Sequence, residues 1–310
     1  MRSKVALTRT GTRSGNIETG LQLIESEIDL RDKTNVFVKL NFVSTRVQLA
    51  ATHVDAVRPL LRFIRKRYDG KITIAESSVE PTLEGFTRFN YLDLAKEFDV
   101  ELVDLNRGEW EVIELYSSSL RPMKLRFSKQ LAESDYRIVI GPPKTHDTVV
   151  VTLSIKNIAM GGLKHGFAVW SDKRKMHQGY PVHNLNLYLL ARAYPPHLSI
   201  IDGYVGMEGS GPIGGTPTDW GVSVVSTDPV AADSLAAHLM GFNISDIGYL
   251  WYCHQKGLGT GDMNQMDILG ADPQDCYHHF RPHPTSEAQK HWRDKRIGEL
   301  LRLSMPVAEV

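Results

Sequence analysis

Short β-branched runs alternate with longer amphipathic stretches through the first third of this 310-residue chain: SKVALTR, NIETGLQLIESEI, NVFVKLNFV, ATHVDAVRPLLRFIRKRY, KITIAES, TLEGFTRFNYLDLAKEF and VELVDL follow one another. Segments of strand length and helix length in turn bury their apolar sides by stacking helices on both faces of a sheet. The expected fold is therefore α/β, with a mostly parallel sheet flanked by helices. In VDAVRPLLRFIRKRY, Val54, Val57, Leu60, Leu61 and Ile64 recur at helical spacing while Arg62, Lys66 and Arg67 fall largely elsewhere, so the basic run reads as a solvated face.

Further along, DYRIVIGPPK reads as a strand stopped by Gly141-Pro142-Pro143, since proline offers no N–H to a central ladder. TVVVTLSI reads as a buried strand, and LSIIDG and WGVSVVSTD as strands that each run into an aspartate. DPVAADSLAAHLMG predicts a helix with Asp228 as its cap, Pro229 in its first position and Gly241 at its end. From about Asp272 the composition shifts to His, Pro and Gln, and EAQKHWRDKRIGELLRLS predicts a C-terminal amphipathic helix that can dock within the chain or on another subunit. The expected organisation is an α/β core over residues 1–270, followed by an exposed His/Pro-rich linker, DCYHHFRPHP, and the helix over 271–310. No internal repeat is found.

The 36 basic and 36 acidic side chains cancel, so no global field draws the chain to nucleic acid or an anionic membrane. Any anion site must be local. Cys253 and Cys276 fall in no metal-binding spacing and read as ordinary thiols. No run of eighteen apolar residues occurs, and MRSKVALTRTG lacks the apolar stretch of a signal peptide, which makes a cytoplasmic address the expectation.

Five lysines, one arginine and four histidines lie between Lys144 and His183 against only Asp147 and Asp172, so a negatively charged visitor is expected in that region. Within it, SDKRKMHQG reads as a solvated basic loop. Lys144 and Lys156 bracket the apolar run, where a cation sits at a sheet rim either as a desolvated base or as a clamp for carboxylate or phosphate. His146 is the candidate to move a proton. These three are the catalytic candidates. Lys39 and Asn41 interrupt an apolar strand on one side, and polar groups there must be satisfied or functional. Glu76, Ser77 and Ser78 end another early strand. Six glycines occupy the thirteen positions from Gly203 to Gly215, and Gly209 and Gly211 join the ligand-binding candidates because backbone amides there can approach a ligand closely. Asp202, Glu208 and Asp228 supply the hard oxygen ligands that suit a divalent cation such as Mg²⁺.

Taken in order, VKLNFV, the PPKTH turn, VTLSIKNIAMGG, IDGYVGMEGSGPIGGTP and STDPVAADSLAAHLMG resemble the family catalogued as domain of unknown function 362, over about the first 250 residues. The resemblance implies an α/β fold and a site shared by the KTH, KN, DG and DPVA elements. It adds Asn157, with Gly161 and Gly162 of the matching run, to the ligand-binding candidates. Many members carry a ferredoxin-like module with clustered cysteines; this chain has no such cluster, which argues against a bound iron–sulfur centre. A fainter likeness to the nickel-pincer lactate racemase family lies in the His and Lys residues around a glycine-rich stretch. The leading functional expectation is an enzyme acting on a small anionic metabolite by Lys/His acid–base chemistry, with or without a divalent metal. Two alternatives stand beside it: a reductase holding an organic cofactor such as a flavin, and a non-catalytic carrier of an anionic ligand or cofactor.

Overall fold

The computed structural model describes residues 2–166 and 171–305. The chain begins with β1 (Ser3–Thr8), α1 (Arg13–Leu23), β2 (Asn35–Lys39), α2 (Val54–Arg65) and β3 (Lys71–Glu76). Two short helices, α3 (Thr82–Arg88) and α4 (Tyr91–Phe98), lead to β4 (Glu101–Asp104). A hairpin of β5 (Trp110–Tyr116) and β6 (Pro122–Ser128) forms a separate two-stranded sheet and is followed by α5 (Lys129–Ala132) and β7 (Tyr136–Gly141). Then come β8 (Lys144–His146), β9 (Val150–Thr152), α6 (Ser154–Gly162), α7 (Asp172–Lys175) and α8 (Tyr180–Ala193). The long strands β10 (Leu198–Glu208) and β11 (Thr216–Ser226) precede α9 (Pro229–Leu239), α10 (Gly248–Gln255) and β12 (Met266–Gly270). Three short helices close the described chain: α11 (Pro273–Cys276), α12 (Ser286–Gln289) and α13 (Lys295–Leu301).

The main sheet runs β12-β1-β11-β10-β7-β2-β3-β4, parallel throughout except where β11 pairs antiparallel with β1 and β10. Alternate residues of its strands feed two cores. Val36, Val38, Ile72, Ile74, Ile138 and Ile140 pack with Ile17, Leu21, Val57 and Leu60 of α1 and α2. Phe37, Ala75, Val139 and Ile201 face the opposite layer of Ile155, Ile158, Leu187, Leu235 and Leu250 from α6, α8, α9 and α10. Burial on both faces explains why the strands read as nearly unbroken apolar runs. The α/β architecture with a mostly parallel, helix-flanked sheet follows directly.

Local signals behave as expected in places and differ in others. Asp228 caps α9 by accepting from the Val230 and Ala231 N–H groups. TLEGFTRFNYLDLAKEF, in contrast, breaks into two helices at Asn90, whose φ is +62°. EAQKHWRDKRIGELLRLS breaks into α12 and α13, because Trp292 is driven into the core and Asp294 starts a new helix by accepting from the Arg296 N–H. The His/Pro-rich segment is anchored and not a free linker: Cys276 and Phe280 are buried on either side of the half-buried His278 and the exposed His279. Gln289 reaches back from α12, donating to the His146 carbonyl at 2.7 Å and accepting from the Val150 N–H. Cys253 and Cys276 are both free and buried. Among the described residues no helix is long and apolar enough to cross a membrane.

Candidate anion-binding cavity

Because β3, β2 and β7 are parallel neighbours, their carboxyl ends bring Glu76, Lys39 to Asn41, and Gly141 to one edge of the sheet, where open α/β sheets form ligand crevices. Lys39 and Asn41 do share a side: both donate to Asn157 Oδ1 of α6, at 3.4 and 3.2 Å. The Lys39 ammonium is 1% exposed and sits 2.6 Å from Glu76 Oε1 and 2.7 Å from the Leu40 carbonyl. Burial lowers its pKa, and the Glu76 charge opposes the shift. Glu76 also accepts from the Phe42 and Ser77 N–H groups, at 2.5 and 2.6 Å. One carboxylate thus holds a lysine and two strand-end amides.

Gly161 and Gly162 are required by close packing. A Cβ on Gly161 would collide with Lys39 Cε and Nζ, and one on Gly162 with the Phe127 ring, while the Gly161 carbonyl accepts from Ser77 Oγ at 2.6 Å. Gly161→Ala is accordingly expected to displace the Lys39 ammonium and destabilise the fold by about 1–3 kcal/mol; thermal unfolding checks this, and an unchanged melting temperature would contradict the packing role.

Past the Pro142-Pro143 stop, β8 pairs with β9 and touches β10 at Met207, which presents Lys144 and His146 behind and beside the sheet edge. Lys144 is fully buried and donates to Asn41 Oδ1; burial, reinforced by the neighbouring Lys156 charge, pulls its pKa to about 7. His146 Nδ1 accepts from the Thr148 N–H at 3.0 Å and lies 3.1 Å from Asp147 Oδ1; with Nδ1 as acceptor, a neutral ring carries its proton on Nε2. Burial, then the nearby Lys156 charge, holds it well below the usual histidine range. With Nδ1 accepting, Nε2 is the ring nitrogen left to meet a ligand.

The expected strand TVVVTLSI ends at Thr152, and Lys156 lies in the first turns of α6. Leu153 offers this helix no side-chain cap; Asp233 of α9 supplies one, accepting from Ser154 N, Ile155 N and Ser154 Oγ at 2.9, 2.9 and 2.5 Å. A cap from another helix satisfies the orphan donors that a strand would have paired elsewhere. Lys156 is 7% exposed, burial brings its pKa down to about 8, and among the described residues its ammonium has no hydrogen-bond or ion-pair partner.

The segment SDKRKMHQG is no merely solvated loop. Asp172, 1% exposed, ties it down by accepting from Arg126 N and Nε and from Lys175 Nζ. Lys173 donates to the Ser77 carbonyl and, at 2.8 Å, to Ser77 Oγ; desolvation lowers it to about 7. Arg174 and His177 join the same wall, and the ring of His177 meets that of His183 edge-on at 4.5 Å. The sequence marked none of Lys173, Arg174 or His177 as site residues. Their only signal was the local excess of positive charge.

These elements enclose a cavity of about 210 Å³ lined by Lys39, Asn41, Glu76, His146, Thr152, Lys156, Asn157, Lys173, Arg174 and His177, among others. Drug-sized ligands occupy roughly 300–1,000 Å³, so the space suits a small metabolite. Among the described lining residues four are lysine or arginine (Lys39, Lys156, Lys173 and Arg174), three are histidines (His146, His165 and His177) and one, Glu76, is acidic. Since Glu76 is already engaged by Lys39, positive charge is left uncompensated. Thr152 Oγ1 is buried without a hydrogen-bond partner among the described residues.

The acidic candidates lie outside this lining. Asp202 is paired with Arg13 at 2.9 Å, Glu208 accepts from the Arg281 N–H at 3.0 Å, and Asp228 is spent on the α9 cap, Ser3 Oγ and the Thr260 N–H. Among the described residues no three His, Cys, Asp or Glu side chains are disposed to hold a metal ion, which corrects the divalent-site expectation for this trio. The glycine-rich stretch is corrected too: β10 runs through Asp202 to Glu208, where Gly203 leaves room for Trp220 and Gly206 for Phe280. Gly209, at φ +73°, accepts at its carbonyl from Thr145 Oγ1 at 2.8 Å, and Gly211 fits against the Thr145 carbonyl. Both brace β8, while only Pro212 of that loop reaches the lining.

The family described as "Domain of unknown function (DUF362)" matches residues 36–238, which span every lining residue. A thylakoid-associated protein of Synechocystis sp. is 28% identical over 174 residues, covering 55% of this chain and 51% of that protein, so the match extends over about half of the relative's length. Among solved structures, the lactate racemase apoprotein from Thermoanaerobacterium thermosaccharolyticum is similar with a TM-score of 0.46 and 12% identity, over 80% of this chain and 58% of that one.

Proposed function

Given that the chain belongs to the DUF362 family, whose description names no reaction, we propose that its cavity binds a small carboxylate or phosphate metabolite and acts on it by Lys/His acid–base chemistry. The observation that carries this reading is the charge balance: cationic groups converge on a small cavity whose single acidic residue, among the described lining residues, is already paired. Arg174 supplies the permanent positive charge for the anion. Lys156, with its pKa near 8, is the base within reach of neutral pH. His146 offers its Nε2–H to a developing oxyanion as a neutral imidazole, which needs no reprotonation to serve as donor. Lys144 acts through Asn41, fixing the amide that meets Asn157. Asp202, Glu208 and Asp228 have no part in the reading.

The test is Lys156→Ala with sulfate as the probe anion. Sulfate is expected to raise the melting temperature of the parent protein, and the variant to need at least about tenfold more for the same rise, since one lost charge contact amounts to roughly 1.4 kcal/mol. The unliganded variant melts no lower than the parent, because the alanine leaves no desolvated cation behind. Equal sulfate protection in both proteins would defeat the reading.

A further inference from the structure

Four lysines surround the cavity or stand directly behind it, and three of them are occupied. Lys39 is bound to Glu76 and the Leu40 carbonyl, Lys144 to Asn41, and Lys173 to the carbonyl and hydroxyl of Ser77. Lys156 alone has no protein partner among the described residues, although it is 7% exposed and borders the cavity. An amine held in this way, shielded from water and not consumed by a carboxylate, is the structural condition for a nucleophilic lysine.

What surrounds it narrows the electrophile. Arg174 on the same lining has no partner for its guanidinium among the described residues and matches a carboxylate in a two-point contact. His146 presents Nε2–H, the kind of donor that polarises a carbonyl oxygen, and Thr152 Oγ1 is buried without a hydrogen-bond partner in the same wall. Phe42, Val43, Val79 and Met160 supply apolar lining beside the amine.

We propose that Lys156 forms a Schiff base with a small carboxylate that bears a carbonyl group, a 2-oxo acid being the simplest member of the class. The inference rests on the reading of the cavity as an anion site. In the step, neutral Nζ attacks the carbonyl carbon, a C–N bond forms and the carbonyl π pair moves to oxygen, giving a carbinolamine. The C–O bond then breaks and water departs. Overall, one ammonium and one ketone become one protonated imine and one water, so two of the three ammonium protons leave with the oxygen and no oxidant or reductant is consumed. The depressed pKa of Lys156 keeps an appreciable neutral fraction at pH 8.

The experiment incubates the full chain with pyruvate and sodium borohydride at pH 8, followed by intact-mass and peptide-mass analysis, with sulfate protection against heat measured in parallel. The expected result is one reduced adduct per chain on Lys156, prevented by excess sulfate and absent from Lys156→Arg. Labelling spread over exposed lysines such as Lys96, with Lys156 no more reactive than they are, would overturn the proposal. No adduct alongside intact sulfate protection would overturn the imine while leaving the anion site standing. Failure of both adduct and protection would remove the anion site as well.

Discussion

A Glu76→Gln variant is expected to unfold in urea with about 3–5 kcal/mol less free energy than the parent. The reason is the position of the pair: Lys39 and Glu76 are 1% and 3% exposed, and among the described residues their 2.6 Å contact is the only ionic compensation for the lysine. An amide at residue 76 strands a charge away from water. It also weakens the two strand-end N–H bonds from Phe42 and Ser77. The double variant Glu76→Gln/Lys39→Met removes the stranded charge while keeping the apolar stem, so it is expected to recover a substantial part of the loss. A single-variant cost below about 1 kcal/mol, or a double variant worse than the single, would show that the pair does not hold the sheet edge together.

The second large effect is on pH, and its two parts have opposite signs. Burial depresses Lys144 and Lys173 to about 7 and Lys156 to about 8, whereas the unfolded chain keeps these lysines near 10.5. Between these limits the unfolded state binds more protons than the folded one, so unfolding free energy rises with pH. Each lysine's penalty is fully present below its folded pKa and is relieved as pH rises through it. Asp233, whose pKa burial raises to about 7, is half-ionised at pH 7 and opposes the rise until about pH 8, so the lysine effect is clearest in the upper half of the window from pH 7 to 9. Sulfate keeps its charge across that window, while the cavity loses positive charge. From pH 7 to pH 9 the unliganded melting temperature is therefore expected to rise while sulfate affinity falls by at least about tenfold, one lost charge being worth about 1.4 kcal/mol. Sulfate titrations at the two pH values, read by thermal shift, decide it. A sulfate affinity that does not change would mean that these lysines do not face the anion.

The sheet was legible because its strands are buried on both sides and therefore stand out as apolar runs. Lys39 and Asn41, which line the cavity, stood out for the same reason: polar atoms inside NVFVKLNFV require an explanation, and Asn157 provides part of it. The start of α6 was not legible, since a short apolar run suits strand or helix equally and the deciding cap, Asp233, is 79 positions away from Ser154. Lys173 was read as surface because a cationic run looks the same in sequence whether it meets water or folds over Ser77; its neighbour Arg174 is exposed, as read, yet borders the cavity. The carboxylates of Asp202 and Glu208 were read as metal ligands because their partners, Arg13 and Arg281, are distant in the chain. The β5–β6 hairpin was missed altogether; its strands are partly exposed and lack the apolar density of the main sheet.

Gln289 has a consequence for where the protein tolerates damage. Its side-chain amide bridges the His146 carbonyl and the Val150 N–H, spanning the mouth of the β8–β9 turn from outside the family-matched region. The turn that carries His146 thus leans on a brace from a stretch of polypeptide that supplies none of the described cavity lining. Trimming the chain before Gln289 would spare each of those lining residues and still unfasten the backbone from which the imidazole hangs.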